Sequence, residues 1–339
     1  DMSKFKITTL GCKVNQAESE AIALDLLSSK WLTTRELEEA DLCIVNTCAV
    51  TQKAAMQSRQ AVRRAIRANP NAQIVVTGCY AQTAPQEIEA IGGVSYIVGH
   101  GEKHTIGRMI RTAGDSVPGH TISIGGDIRK KRPFAPMPIA NTVIRTRTFL
   151  KIQDGCDAFC TYCIVPHARG RSRSMPLADI VDNIGKLARA GYREVVLTGI
   201  HLGAYGHDLS PVTDLSTAME RIQESRAIDR VRLSSIEPFE FTGKVLEQAL
   251  NSDIFCRHFH IPLQSGNDEV LDKMGRPYSK GDFGDLIHKI HRSLPDAAIG
   301  VDILIGFPGE SESAFENTYE LVKTLPISYL HVFPFSARP

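Results

Sequence analysis

The chain has 339 residues, 42% of them hydrophobic and 23% charged, with 39 Lys and Arg against 38 Asp and Glu for a net charge of +1. Such a composition buries a sizeable core and excludes a disordered chain, a collagen-like repeat and a small disulfide scaffold; the length calls for two domains, or one barrel with an addition. Apolar runs such as Val195-Val196-Leu197 fall far short of the ~20 residues of a membrane span, and no signal-peptide pattern opens the chain, so the reading is cytoplasmic with no membrane partner.

In chain order, residues 4–10 read as a strand that runs into Gly11-Cys12, and 18–28 has helical spacing. A short apolar strand over 41–45 leads to Asn46-Thr47-Cys48, a helix over 53–68 stops near Asn69-Pro70, and a third strand over 73–77 ends in Gly78-Cys79, with a fourth at 97–99. Strands alternating with helices predict a parallel α/β sheet, whose ligand crevice lies beyond the carboxyl ends of its strands. Cys12, Cys48 and Cys79 each follow such an end, so topology alone can bring three sulfurs from distant positions into one site. Residues 119–141, with a Gly-Gly pair, the Arg129-Lys130-Lys131-Arg132 run and three prolines, break both periodicities and read as a linker. Beyond it, β-rich runs at 148–152, 194–198, 230–234, 258–262, 299–305 and 329–335 alternate with helical patterns, as in an open, partial (β/α)6 version of the parallel barrel. The expected division is a domain over 2–118, the linker over 119–141 and the barrel over 142–339, truncated before its end.

The first barrel strand runs into Cys156-Asp157-Ala158-Phe159-Cys160-Thr161-Tyr162-Cys163, a CxxxCxxC loop. Three soft ligands this close suit a cubane iron–sulfur cluster with one iron left open. The competing reading is a zinc site with His167 as the nearby histidine. Cys43, inside a strand, and Cys256 read as buried thiols that pack like small hydrophobes. Charge is unevenly spread: residues 121–175 hold ten Lys or Arg against three acids. On the helix after Cys48, Arg59, Arg63 and Arg67 recur at i, i+4 and i+8, which reads either as a solvated face or, with Arg169, Arg171 and Arg173, as a phosphate-binding rim.

CxxxCxxC with an aromatic residue before its last cysteine resembles the radical S-adenosylmethionine (SAM) superfamily. The surroundings, Leu10-Gly11-Cys12-Lys13-Val14-Asn15-Gln16, Asn46-Thr47-Cys48, Thr77-Gly78-Cys79, Pro166-His167-Ala168-Arg169-Gly170, Ser234-Ser235-Ile236-Glu237-Pro238 and Gly306-Phe307-Pro308-Gly309-Glu310, are similar to those of the methylthiotransferases over essentially the whole chain. The form Gly-Cys-Lys-Val-Asn-Gln is most similar to the branch acting on N6-threonylcarbamoyladenosine in tRNA. The resemblance implies a [4Fe-4S] cluster on Cys156, Cys160 and Cys163 that binds and cleaves SAM, and a second [4Fe-4S] cluster on Cys12, Cys48 and Cys79 that holds the sulfur to be transferred. It implies two SAM molecules of different fate, one a methyl donor and one a radical source, acting on C2 of an adenine in the anticodon loop. It also implies an electron donor such as flavodoxin or ferredoxin, a sulfur source, and a C-terminal RNA-binding module, TRAM, before which this chain ends. Candidates for SAM contacts at the barrel mouth are Tyr162, Thr198, Gly199, Glu237, Gln264 and Asp302. Open alternatives are a methylthiotransferase of another tRNA adenosine or of a ribosomal protein, a two-cluster electron carrier, and a zinc-bound RNA-binding protein.

Overall fold

The computed structural model describes residues 2–112, 121–139, 146–241 and 243–337. The chain divides into two compact units: Asp1–Asn141 with Gly155–Asp157 and Ile164–Arg171, and Thr142–Asp154 with Ala158–Cys163 and Ser172–Pro339. The first thus takes in two short pieces that lie beyond the expected boundary in sequence.

The first unit is built on a parallel sheet of β1 (Lys4–Thr9), β2 (Leu32–Thr33), β3 (Leu42–Thr47), β4 (Gln73–Gly78), β5 (Tyr96–Val98) and β6 (Ile122–Ile124), in the order β2-β1-β3-β4-β5-β6. Side chains alternate across each strand. Leu42, Ile44 and Val75 therefore join Phe5 in a core with Ile22 and Leu26 of α1 (Lys13–Ser28) and Ile106 and Ile110 of α5 (Ile106–Thr112). Cys43, Val45, Ile74 and Val76 point to the other face and pack with Val62 and Ala65 of α2 (Gln52–Ala68), with α3 (Cys79–Thr83), with Ile88 of α4 (Pro85–Glu89) and with Ala168 of α6 (Val165–Arg169). Both faces are covered, as expected for a parallel sheet. Cys43 is 1% exposed, in keeping with a packing thiol.

Two elements depart from the sequence reading. Helix α1 begins at Lys13, not near residue 18, because its first turns bury Asn15, Glu18 and Ser19, polar residues invisible to an apolar periodicity. The segment read as a linker contributes β6, whose Ile122 pairs with Tyr96, and buries Ile128; apolar side chains within a Gly- and Pro-rich stretch still dock on a free sheet edge. The expected boundary at residue 118 lies outside the described residues.

The second unit carries β7 (Thr148–Lys151), a small antiparallel pair of β8 (Gln153–Asp154) and β9 (Arg173–Ser174), then β10 (Glu194–Thr198), β11 (Arg230–Leu233), β12 (His258–His260), β13 (Ala298–Ile305) and β14 (Tyr329–Pro334). Strands β7, β10 and β11 pair in parallel, as do β12, β13 and β14. The Val231 to Phe255 bridge and the bond from Ile236 N–H to His260 O link the two sets. Helices α7 (Leu177–Arg189), α8 (Leu215–Ser225), α9 (Gly243–Asn251), α10 (Asp268–Lys273), α11 (Lys280–Ser293) and α12 (Glu312–Thr324) separate the strands, and among the described residues no pairing joins β7 to β14. This is the open (β/α)6 arrangement. Val195, Leu197, Val231, Val301 and Ile303 are buried, while the alternate face carries Glu194 paired with Arg232, His260 with Asp302, and His258 with Tyr329. No helix among the described residues is long and apolar enough to cross a membrane.

Candidate functional site

Strand register explains why Cys12, Cys48 and Cys79 lie at the same edge of the sheet. Thr9 pairs with Asn46 and Asn46 with Thr77, so β1, β3 and β4 end level. Cys12 follows as the residue capping α1, Cys48 follows β3, and Cys79 opens α3. Glycines make the approach possible: a Cβ on Gly11 would lie 2.9 Å from the Cys48 sulfur, and one on Gly78 would lie 2.7 Å from Asn46 Oδ1 and run into the Thr47 carbonyl. Gly78 has φ 97° and ψ −168°, a conformation essentially reserved for glycine. Ser58 on α2 fixes the second loop, accepting from Cys48 N–H at 3.1 Å and donating to Cys48 O at 2.9 Å.

Burial pushes the Cys48 thiol up to about 11, against the opposing pull of the Val50 N–H and the Arg169 guanidinium; Cys79 and Cys12 add to the rise. Burial also pushes Cys79 up, while Arg169 and Lys103 pull it down and Cys12 raises it. Around these cysteines lies a buried polar network. Lys103 Nζ donates to Glu18 at 2.6 Å and to Asn46 Oδ1 at 3.1 Å; Arg169 donates to Asn15 Oδ1 at 2.6 Å and to Glu18 at 3.2 Å. The His100 ring lies 3.3 Å from the Arg169 guanidinium. Asn15 donates onward to Leu10 O and Thr47 O, and Asn46 to Asn15 O, so all these bonds converge on the loops that carry the cysteines.

In the CxxxCxxC loop, Cys156 N–H donates to Gly170 O at 3.0 Å within the first unit. In the second unit, Cys163 N–H donates to Cys160 O at 2.9 Å, and Thr161 binds Met274 O and Lys273 O at the end of α10. Just past that helix, Arg276 reaches the Cys160 sulfur at 3.2 Å, ion-pairs with Glu237 and donates to Tyr278 Oη at 3.1 Å. Burial holds the Glu237 carboxyl above its usual range although Arg276 pulls it down. Tyr162 packs with Val270, Met274, Phe307 and Ala314, and burial drives its phenol far up.

The other expected contacts are placed as follows. Thr198 is buried, and a Cβ on Gly199 would meet Gln153 Oε1 at 2.9 Å; that oxygen accepts from the N–H of Ile200 and His201, so the glycine admits Gln153. Gln264 has φ 68° and lies against β13, its N–H donating to Asp302 O. Asp302 accepts from His260 Nε2 at 2.8 Å and pairs with His331 Nδ1 at 3.2 Å, a set of atoms all within 4.8 Å of one another. Both histidines meet the same carboxylate oxygen, which accounts for the grouping by hydrogen bonding.

The arginine rim needs correction. Arg169 is 1% exposed and bonded to Glu18 and Asn15, and Arg173 is buried against Asp154 at 2.8 Å; neither guanidinium can meet an RNA phosphate without abandoning a buried carboxylate. Arg171, Arg63 and Arg67 are exposed, and Arg59 is half-buried, held by Tyr80 Oη at 2.6 Å and Glu87 at 3.1 Å. Lys103, Glu18 and His100, and Arg276 with Tyr278, escape sequence reasoning because no local spacing joins them to the cysteines.

A profile described as the Radical SAM superfamily matches residues 150–322, and one described as Uncharacterized protein family UPF0004 matches residues 4–99. The second unit is therefore that of a radical SAM enzyme. Threonylcarbamoyladenosine tRNA methylthiotransferase MtaB of Bacillus subtilis is 41% identical over 99% of this chain and 74% of its own length, and that of Aquifex aeolicus 35% identical over 99% and 81%. The tRNA-2-methylthio-N(6)-dimethylallyladenosine synthase of Clostridium botulinum is 33% identical over 99% and 75%. The chain belongs to the radical SAM methylthiotransferase family. Among solved structures, the radical SAM methyltransferase TsrM of Kitasatospora setae superposes with a TM-score of 0.67 at 17% identity, covering 98% of this chain and 75% of its own. The cobalamin-dependent radical enzyme OxsB superposes with a TM-score of 0.58 at 10% identity, covering 95% and 52%. At those identities the likeness is one of fold.

Proposed function

We propose that this chain places a methylthio group at C2 of N6-threonylcarbamoyladenosine beside the tRNA anticodon, with Cys156, Cys160 and Cys163 holding one [4Fe-4S] cluster and Cys12, Cys48 and Cys79 a second. When bound, the clusters and SAM supply the one-electron chemistry that exchanges the C2 hydrogen for sulfur, one SAM giving its methyl group and another taking the hydrogen as its adenosyl part is released with methionine. The observation that supports the reading is the level ending of β1, β3 and β4, which brings the loops carrying Cys12, Cys48 and Cys79 to one edge of the sheet. Three cysteine ligands apiece fit an iron–sulfur cluster with an open iron better than a closed zinc site. The substrate assignment is supported by the tRNA methylthiotransferase names of the relatives, threonylcarbamoyladenosine for those at 41% and 35% identity against dimethylallyladenosine at 33%.

The chain's own residues bind and orient. Arg276 secures Cys160 and the Glu237 carboxylate, leaving Thr198, Gly199 and Gln264 to offer backbone groups to SAM. Tyr162 supplies an apolar wall that excludes water. Arg63, Arg67 and Arg171 are the accessible cations for the RNA backbone. A flavodoxin- or ferredoxin-type donor supplies the electron, a separate sulfur source reloads the second cluster, and the tRNA substrate puts the work in the cytoplasm. The test is nucleoside mass spectrometry of tRNA from cells lacking the gene, complemented with the full-length protein or with Cys12→Ala or Cys156→Ala. Only the intact protein restores 2-methylthio-N6-threonylcarbamoyladenosine; an unchanged level of that nucleoside on deletion refutes the substrate and moves a ribosomal protein to the front.

A further inference from the structure

Two cations with almost no access to water lie beside the first three cysteines. Lys103 is 2% exposed and Arg169 1%, and within their unit both bind the same carboxylate, Glu18. Their other bonds run to the cysteine loops: Lys103 to Asn46, two residues before Cys48, and Arg169 to Asn15, three residues after Cys12. Helix α6, which ends in Arg169, shares a core with α3, which opens with Cys79.

We propose that Lys103 and Arg169 are a built-in counter-charge for the cluster that Cys12, Cys48 and Cys79 hold, retaining it and raising its reduction potential. The inference rests on the reading of those cysteines as ligands. Metal binding deprotonates thiols, so three ligands bring three negative charges to a site where Cys48 and Cys79 are buried, and one-electron reduction brings another. In a medium of low dielectric, fixed cations act on that charge over several ångströms and are little screened by salt. Net charge and burial are the levers by which a protein sets a cluster's potential. Glu18 opposes the cations while orienting them, so the two signs can be removed separately.

The test uses the full chain carrying Cys156→Ala, Cys160→Ala and Cys163→Ala, reconstituted anaerobically with ferrous iron and sulfide, so that any cluster formed is the one at Cys12, Cys48 and Cys79. Potentiometry with dithionite and viologen mediators, read by electron paramagnetic resonance, follows its one-electron reduction. Lys103→Met is expected to lower the midpoint by at least a tenfold change in the oxidised-to-reduced ratio, about 59 mV for one electron, and to speed iron loss to a chelator. Lys103→Arg keeps the charge and restores the potential. Glu18→Gln moves the midpoint upward, and this opposite sign is one that general loosening of the fold would not give; it also serves where Lys103→Met fails to fold. A natively folded chain that takes up no cluster in this background overturns the cysteine reading and the proposal with it. A cluster whose potential ignores Lys103 and Glu18 overturns the proposal alone.

Discussion

Replacing Gly78 by alanine isolates what holds Cys48 and Cys79 together. The residue sits at φ 97° and ψ −168°, where a side chain costs about 1–3 kcal/mol in backbone strain. Its Cβ would also run into Thr47 O and lie 2.6 Å from Thr47 N, backbone atoms of β3 that cannot swing aside as a flexible side chain can. Overpacking of this kind costs about 1–3 kcal/mol more, for a total of about 2–6 kcal/mol, a large part of a domain's stability. Gly92 provides the control, with φ 73° and nothing within 4 Å of its would-be Cβ, so Gly92→Ala carries strain alone, about 1–2 kcal/mol. The chain's one tryptophan, Trp31, packs against the core of the first unit, so its fluorescence during urea unfolding reports on this unit. Gly78→Ala should shift the midpoint down by two to three times the control's shift. In the chain lacking the other three ligands it should also lose iron, because β4 must move off β3 and carry Cys79 with it. Equal stability of the two variants, within about 0.5 kcal/mol, would refute the account of how these strand ends are joined.

Two further perturbations test the neighbouring electrostatics. Arg276→Met strands the half-buried Glu237 carboxylate and should destabilise the second unit by about 3 kcal/mol, with much of the loss recovered in the double variant Arg276→Met/Glu237→Gln; a double variant no better than the single one, by chemical denaturation, removes the ion pair from the argument. In the metal-free chain, burial raises Cys43 from the ordinary thiol value of 9.0 to about 11. The folded state thus favours the neutral thiol, and the unfolded chain ionises first. This contribution to stability is full below about pH 9 and is lost as pH rises through about 11. Cys43→Ala should make that decline shallower, and the same slope in both proteins would sink the assignment.

What the sequence discloses is set by how far apart the partners lie. The ends of β1, β3 and β4 are legible because β3 and β4 carry apolar runs and β1 alternates, each leading to a small or polar residue, and parallel topology brings such ends together wherever they fall in the chain. The early start of α1 is hidden because Asn15, Glu18 and Ser19 occupy buried positions where an apolar residue is expected. The arginines near the CxxxCxxC loop look alike in sequence, yet Arg171 is exposed while Arg169 and Arg173 are buried on carboxylates, a distinction that burial alone makes. Arg276 reaches Cys160 across 116 positions, and nothing in the Gly275-Arg276-Pro277-Tyr278 segment announces it.

The same reasoning explains why the first unit tolerates ions in its interior. Its sheet is held by two apolar cores, one on each face, and the ions lie at the strand ends outside both. Polar side chains buried this deeply are not spread through the unit: Asn15, Glu18, Asn46, Lys103 and Arg169 gather where β1 and β3 end, and their partners lie up to 151 and 154 residues apart. A cost concentrated at one end of a sheet, and drawn from separate stretches of chain, marks the place where the fold serves chemistry. It also explains why Ile164–Arg171, though it follows the barrel's first strand in sequence, belongs with the first unit: Ala168 fills that unit's core, and a Cβ on Gly170 would meet the Ile128 carbonyl. Arg169 is thereby delivered to Glu18 by packing, and a substitution that loosens Ala168 should act on the cluster proposed at Cys12, Cys48 and Cys79 through the charge it displaces.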